Sequence, residues 1–155
     1  MNAPVLHSEY LFSYTATLAE PVVLGPCADG IRVLFQVTGG EITGGRIGDG
    51  EVCPVGGDWL TVRPDGVANV DVRAQLRTTD GVLLDIRYGG VIDFGEDGYA
   101  AFAEGRLDPI VQIQTAPRVY TASPGHQWLC RRQLVGIGVG NLVERTVSYD
   151  VYAVS

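Results

Sequence analysis

The sequence predicts an all-β domain, an antiparallel β-barrel of about eight to ten strands with little helix. Short runs rich in Val, Ile, Thr and aromatic residues alternate with Gly- and Pro-containing segments along the chain. Asp-Gly dipeptides, which favour tight hairpin turns, occur at five junctions between these runs. A lipocalin-like barrel or a curled sandwich would protect the edges that so many strands leave exposed in an open sheet. The 155 residues fit a single domain, residues 1–155.

Ten strands are predicted from the turn residues and the β-branched and aromatic runs between them. In chain order they are Glu9–Leu18, Gly30–Val37, Gly40–Asp49, Trp59–Arg63, Ala68–Thr78, Val82–Phe94, Gly98–Ala103, Val111–Tyr120, Gln127–Val139 and Leu142–Val154. The only helical signal is a short turn near Ala100–Pro109, which the proline would end because it cannot continue a helix.

The strand predicted over 68–78 carries a row of polar and charged side chains. Its apolar face consists of Val70, Val72, Ala74 and Leu76. Its polar face consists of Asp71, Arg73, Gln75 and Arg77. The next strand continues the polar row with Asp85 and Arg87, which the hairpin places alongside the first. Either these rows face solvent and form weak cross-strand ion pairs, or they line a polar barrel interior that orients a small ligand.

Composition and charge disfavour several classes of partner. The net charge is −7 at pH 7 with His neutral, whereas nucleic acids and anionic membranes are bound by basic surfaces. We therefore expect no nucleic-acid partner and no membrane partner. No apolar run approaches the roughly 20 residues of a transmembrane helix, and no basic and apolar leader opens the chain. A cytoplasmic location is expected.

The cysteines and histidines predict no metal site. Cys27, Cys53 and Cys130 are widely spaced, and the histidines are His7 and His126. A structural zinc site would need ligands from scattered strands, so we interpret the cysteines as buried reduced thiols. The glycine-rich segments precede strands rather than helices and match no phosphate loop or dinucleotide fingerprint. We expect no metal and no cofactor.

A series of motifs resembles a known family. Residues 39–60 read GGEITGGRIGDGEVCPVGGDWL, followed by Arg63-Pro64-Asp65-Gly66, Asp71-Val72-Arg73, Thr79-Asp80-Gly81 and Trp128-Leu129. Their order resembles a widespread microbial family of small β-barrels long catalogued as a domain of unknown function. The likeness covers nearly the whole chain, although Cys130 stands where the family often has Asn. Some members look like enzymes of aromatic-compound metabolism, para-hydroxylaminobenzoate lyases among them, and others sit among biosynthetic enzymes.

The resemblance implies cofactor-free rearrangement or elimination on a small aromatic or carbonyl-bearing compound. Our first hypothesis is a lyase, isomerase or cyclase that acts by acid–base chemistry in the barrel lumen. The second is a non-catalytic small-molecule binding protein of lipocalin-like type, and the third is a structural or assembly partner. The expected partner is a small-molecule substrate, and assembly into a homo-oligomer is left open.

Four side chains are candidate catalytic groups. Asp71 or Asp58 would move the proton, and Arg73 would hold developing negative charge. His126 could act as an acid or base near neutral pH, or be a surface loop histidine. Asp71 and Arg73 could equally form a structural ion pair. Asp58, which follows two glycines, fits either a base in a dry lumen or an acceptor of backbone hydrogen bonds.

Aromatic and basic side chains near these groups are the candidate substrate-binding residues. They are Trp59, Tyr88, Arg87 and Trp128. The three aromatic rings would wall a substrate ring, and Trp59 could instead be a core aromatic. Tyr88 is expected to point opposite to Arg87 if the strand is regular, but a bulge at Gly89-Gly90 could re-aim it.

Overall fold

Hydrogen bonds between neighbouring strands close one sheet on itself. The computed structural model of the protein describes residues 2–155. Its strands are β1 (Ser8–Leu18), β2 (Val22–Cys27), β3 (Gly30–Thr43), β4 (Gly50–Val62), β5 (Val67–Thr78), β6 (Leu83–Asp93), β7 (Ile110–Thr115), β8 (Arg118–Tyr120), β9 (Gln133–Asn141) and β10 (Thr146–Val154). Eight strands follow one another in the order β1-β10-β9-β7-β6-β5-β4-β3, and β3 pairs with β1 to complete the barrel. β2 extends the sheet beyond β3, and β8 pairs with β6. The predicted all-β antiparallel barrel is confirmed.

Four of the five Asp-Gly dipeptides lie where one strand turns into the next. Asp29-Gly30 ends the two-residue connection from β2 to β3, and Asp49-Gly50 leads into β4. Asp65-Gly66 and Asp80-Gly81 form the hairpin turns on either side of β5. The fifth, Asp97-Gly98, begins the helix α1 (Gly98–Ala103), where a strand was predicted.

Several other predicted strands have different bounds. β2 was not predicted, β4 begins at Gly50 rather than at Trp59, and β10 begins at Thr146 rather than at Leu142. The strand predicted over 40–49 is wrong beyond residue 43, because β3 runs without a break to Thr43 and residues 44–49 form a turn. The strand predicted over 111–120 is divided into β7 and β8 around Pro117, which has no N–H to donate to a sheet ladder. The strand predicted over 127–139 begins as a 3-10 helix, Pro124–Arg131.

Side chains alternate between the interior and the outside of the barrel. On β5, Val70, Val72, Ala74 and Leu76 are buried, while the polar residues between them face outwards. The solvent-facing interpretation of the polar row is therefore correct, and the polar interior is wrong. The physical reason is desolvation, since taking an unpaired charge into a barrel core costs several kcal/mol.

The two short helices lie at opposite ends of the barrel. β6 and β9 both pair antiparallel to β7, so they run in the same direction. α1 follows the end of β6, and the turn Leu142–Arg145 follows the end of β9, so both lie at what we call the α1 end. The 3-10 helix precedes β9 at the other end, where the Arg46 guanidinium lies 3.9 Å from the centre of the Trp128 ring. Within residues 2–155, no helix has the length and apolar character needed to cross a membrane.

Candidate active site in the barrel lumen

A largely apolar cavity occupies the barrel interior and opens at the α1 end. Its walls include Leu18, Phe35, Leu60, Ala74, Ile92, Phe102 and Val111. The space open to the centres of water molecules is about 80 Å³. The polar side chains on its wall are few, and they gather in two places. Tyr14, Asp58, Tyr88 and Tyr149 belong to β1, β4, β6 and β10. At the α1 end, Asn141 is the last residue of β9, Thr146 is the first of β10, and Arg145 lies in the turn between them.

A β-bulge in β4 directs Asp58 into this lumen. The pairing of β4 with β5 shifts between Val52 and Gly56, and such a shift re-aims the residues that follow it. Gly56 has φ +85°, and a Cβ there would lie 2.0 Å from the Arg73 carbonyl oxygen, so only glycine fits. Two residues later Asp58 lines the cavity, while Trp59 points outwards and is 46% exposed. The glycine pair thus serves to aim a carboxyl group.

Asp58 keeps some exposed area towards the cavity but is otherwise enclosed by protein. This desolvation raises the pKa of Asp58 to about 6, and the nearby charge of Asp71 adds to the rise. The backbone N–H of Asp71 donates to Asp58 Oδ1 over 3.0 Å and lowers the pKa in part. At pH 7 the carboxyl is mostly ionised, and its proton affinity suits a base that works near neutrality.

Three buried tyrosines form a cluster in the same lumen. The Tyr14 hydroxyl donates to the Tyr88 hydroxyl over 2.9 Å. The Tyr149 ring centre lies 5.2 Å from that of Tyr14 and 5.4 Å from that of Tyr88. Burial raises the pKa of all three phenols, and the charge of Asp58 further raises that of Tyr149. They stay protonated at neutral pH and can donate hydrogen bonds beside a single carboxylate.

Glycines on β9 make room for this cluster. Gly138 pairs directly with Tyr149, and a Cβ at Gly138 would lie 2.5 Å from the tyrosine ring. Gly136 and Gly140 alternate with it on the same inward face. Tyr14 and Tyr149 were not among the predicted site residues. The alternating glycines of β9 were the available signal, since they indicate a large side chain lying over that strand.

The structure brings two of the predicted site residues into the lumen, Asp58 and Tyr88, and places Asp71, Arg73 and Arg87 on the outer face. A luminal position for these last three is wrong, because each alternates with a buried apolar neighbour that takes the inward place. Asp71 and Arg73 share a face as predicted, yet no ion pair joins them within residues 2–155.

The remaining predicted residues also lie outside the lumen. Trp59 points out of the barrel beyond the bulge, and Trp128 lies in the 3-10 helix against Arg46. His126 lies in the same helix, with its Nδ1 2.9 Å from Ser123 Oγ, at the end of the barrel away from the cavity mouth. None of the three can contact a ligand held in the cavity.

The cysteines differ in their environments. Cys53 is buried as predicted, whereas Cys27 and Cys130 are exposed, which corrects the prediction that all three are buried. All three are free thiols, and no group of three or more His, Cys, Asp or Glu side chains in residues 2–155 is arranged to hold a metal ion.

Comparison with known proteins relates this barrel to others. A UPF0311 protein of Clostridium acetobutylicum is 30% identical over 131 residues, which are 83% of this chain and 82% of that protein. The crystal structure of a β-barrel-like protein from Acinetobacter baumannii superposes with a TM-score of 0.82 at 27% identity, covering 99% of each chain. An enzyme from Penicillium herquei gives a TM-score of 0.70 at 22% identity, covering 100% of this chain and 99% of that one. This last likeness shows the fold alone.

The predicted relationship to a small β-barrel family of unknown function is confirmed over almost the whole chain. The family described as "Protein of unknown function (DUF3237)" matches residues 6–154, which include every strand of the barrel and both halves of the luminal site. The link to lyases remains a prediction. The chain therefore belongs to the DUF3237 family.

Proposed function

We propose that the protein is a cofactor-independent enzyme, a lyase, isomerase or cyclase, that moves a proton on a compact aromatic or carbonyl compound held in the lumen. One observation carries the proposal. Among the described residues that line the cavity, Asp58 is the only carboxyl group, and its pKa of about 6 suits acid–base work near neutral pH.

The chemistry needs only protons and electron pairs. The Asp58 carboxylate takes a proton from an acidic C–H or heteroatom–H of the substrate, and the electron pair left behind moves to a carbonyl oxygen or a leaving group. The protonated carboxyl then returns the proton to another substrate atom or to the leaving group. No oxidant or reductant takes part in this sequence.

The tyrosine cluster would stabilise the negative charge that develops on the substrate. Tyr14 donates its hydrogen bond to Tyr88, and Tyr88 shares a second side-chain hydrogen bond with Tyr149, so the three phenols form a chain that ends at Tyr149. Hydrogen-bond donors fixed in a dry site stabilise an oxyanion more strongly than water does. In this proposal Asp58 is the proton carrier, and Tyr149, the last phenol of the chain, is the donor to the developing oxyanion.

Relatives add support of two kinds. The resemblance of the motifs to para-hydroxylaminobenzoate lyase-like proteins favours aromatic substrates, and the Penicillium herquei neighbour is an enzyme on a similar fold. The apolar walls around a small cavity fit a single compact ring better than an extended chain.

The test is a panel of small aromatic carbonyl compounds, with para-hydroxylaminobenzoate included, incubated in D₂O and followed by NMR for deuterium uptake and new products. Asp58→Asn should lower the rate by a factor of about 10² to 10⁴, as expected for loss of a general base. The matched control is Asp71→Asn, which removes a neighbouring carboxyl from the outer face and should keep most of the activity. Unchanged turnover by the Asp58 variant would contradict the proposal.

A non-catalytic binding protein is the second candidate, and the apolar walls with phenol donors favour it equally well. It predicts that a compact aromatic compound is recovered unaltered after long incubation, with no deuterium exchange in any compound of the panel. It also predicts that Ala74→Leu, which fills the cavity, weakens binding while Asp58→Asn does not.

A further inference from the structure

A second concave site lies on the outer surface of the barrel, across β5, β6 and β8. We call it the outer groove; it is lined by Asp71, Arg73, Arg87, Gly89, Arg118 and Tyr120. The space open to the centres of water molecules is about 260 Å³. Tyr88, on the inward face of β6, separates the groove from the cavity on the other side of the sheet.

Three arginines stand in one row across the groove. In the strand registers, Arg73 on β5 pairs directly with Arg87 on β6, and Arg87 pairs directly with Arg118 on β8. Side chains directly opposite one another in antiparallel strands have Cβ atoms about 4.5–5.5 Å apart, and like charges in such pairs repel. The row therefore concentrates positive charge at a cost in stability, on a chain whose net charge is −7.

Little in the protein compensates this charge. Within residues 2–155, Arg73 and Arg118 form no ion pair, whereas seven of the chain's other arginines, Arg87 included, do. Arg87 has only a long contact, 3.5 Å, to Asp85, and both side chains are largely exposed. Asp71 pairs with Gly89 in the register, to one side of the row. The guanidinium groups of Arg73 and Arg118 thus keep their hydrogen-bond donors for a ligand.

Gly89 keeps the groove open beside this row. A Cβ at Gly89 would meet no atom closer than the Val70 carbonyl oxygen at 3.6 Å, so packing does not require glycine here. Tyr120 stands at the other side, 53% exposed, with its ring centre 6.0 Å from the Arg87 guanidinium carbon. The groove therefore offers three cations, an open floor and an aromatic wall.

We propose that the outer groove is a binding site for a phosphate group, held by the guanidinium groups of Arg73, Arg87 and Arg118. Guanidinium groups bind phosphate oxygens through paired, charge-assisted hydrogen bonds, and a dianion relieves the repulsion within the row. The open floor at Gly89 leaves room for the organic part of a phosphate monoester. The site is independent of the lumen and of the function proposed for it.

Calorimetry at constant ionic strength tests phosphate binding in the outer groove with two probes, inorganic phosphate and phenyl phosphate. Both should bind one saturable site, and Arg118→Gln should weaken each by about tenfold or more. Gly89→Val should weaken phenyl phosphate more than inorganic phosphate, because the added side chain fills the floor. Equal weakening of both would identify free phosphate rather than a monoester as the ligand, and still support the site.

The matched control is Arg77→Gln, which removes an arginine from the same face of β5 where it pairs with Glu51. It should leave phosphate binding unchanged. The melting temperature gives a second, opposite readout: without phosphate, Arg118→Gln should be at least as stable as the parent, because repulsion is reduced. Added phosphate should raise the melting temperature of the parent protein but not that of Arg118→Gln.

Three results would overturn the proposal. The first is absence of saturable binding by the parent protein at millimolar phosphate. The second is an equal loss of affinity in Arg77→Gln and Arg118→Gln, which would mean diffuse charge attraction. The third is a phosphate-independent dimer that is lost in Arg118→Gln, which would mean that a second copy occupies the groove.

Discussion

Replacing Asp58 by Asn should stabilise the protein at neutral pH and remove one source of pH dependence. Burial raises the pKa of this carboxyl to about 6, whereas an unfolded chain holds it near 3.9. Between these pH values the folded protein binds more protons than the unfolded chain, so the free energy of unfolding falls as pH rises. The difference of roughly 2 pKa units corresponds to about 3 kcal/mol, lost in full above about pH 7.

Asparagine cannot ionise, yet its oxygen can still accept the backbone N–H of Asp71. The stability of Asp58→Asn relative to the parent should therefore rise by about 2 kcal/mol from pH 4 to pH 7 and stay level above that. Urea unfolding at five pH values, followed by tryptophan fluorescence, measures this difference. Glu20→Gln, in the exposed loop between β1 and β2, controls for the loss of one carboxyl group.

Two outcomes would refute this reasoning. A stability difference that stays constant from pH 4 to pH 8 would mean that the Asp58 carboxyl is not desolvated in the lumen. A difference that grows in favour of the parent as pH rises would mean that the carboxylate is stabilised by the fold, and the sign of the proposed shift would be wrong.

Three other predictions concern the frame around the site. Tyr88→Phe removes the acceptor of a buried tyrosine hydroxyl and should lower the free energy of unfolding by about 1–3 kcal/mol in urea titrations; no loss would mean that the hydroxyl finds another partner. Gly56→Ala should destabilise the protein much more than Gly81→Ala in thermal melts, since both glycines have positive φ but only the first Cβ would meet backbone, at 2.0 Å. Equal losses would show that the bulge relaxes. Arg46→Ala should cost about 0.5–1 kcal/mol and change the fluorescence of Trp128, and an unchanged spectrum would contradict the stacking.

The barrel was predictable because its determinants are local. Asp-Gly dipeptides specify hairpin turns, and alternation along β5 separates an inward face from an outward face within a dozen residues. The misplaced boundaries depend on distant contacts. β3 continues past its glycine pair because β1 runs along it, and a Cβ at Gly40 would lie 2.0 Å from the Thr15 carbonyl oxygen.

The candidate site was predictable only in part. Asp58 was predicted from the glycines that precede it. Tyr88 was predicted for a different reason, a bulge at Gly89-Gly90, whereas β6 is regular there and Tyr88 faces inwards because Arg87 faces outwards. Tyr14 and Tyr149 come from opposite ends of the sequence and meet because β1 pairs with β10 when the barrel closes. No short sequence pattern predicts this pairing of the first and last strands. Asp71 and Arg73 were predicted to be catalytic because charged side chains are common in active sites. The apolar residues that alternate with them show instead that their face points outwards.

The most direct measurement is an NMR titration of the Asp58 side-chain carboxyl carbon, assigned by its absence in Asp58→Asn. The inflection should fall at about pH 6 and move when phenol, a compact aromatic ligand, is added. The response to phenol should be lost in Ala74→Leu, which fills the cavity. An inflection below pH 4.5 that does not move when phenol is added would contradict the claim that Asp58 is a base in a ligand-binding lumen.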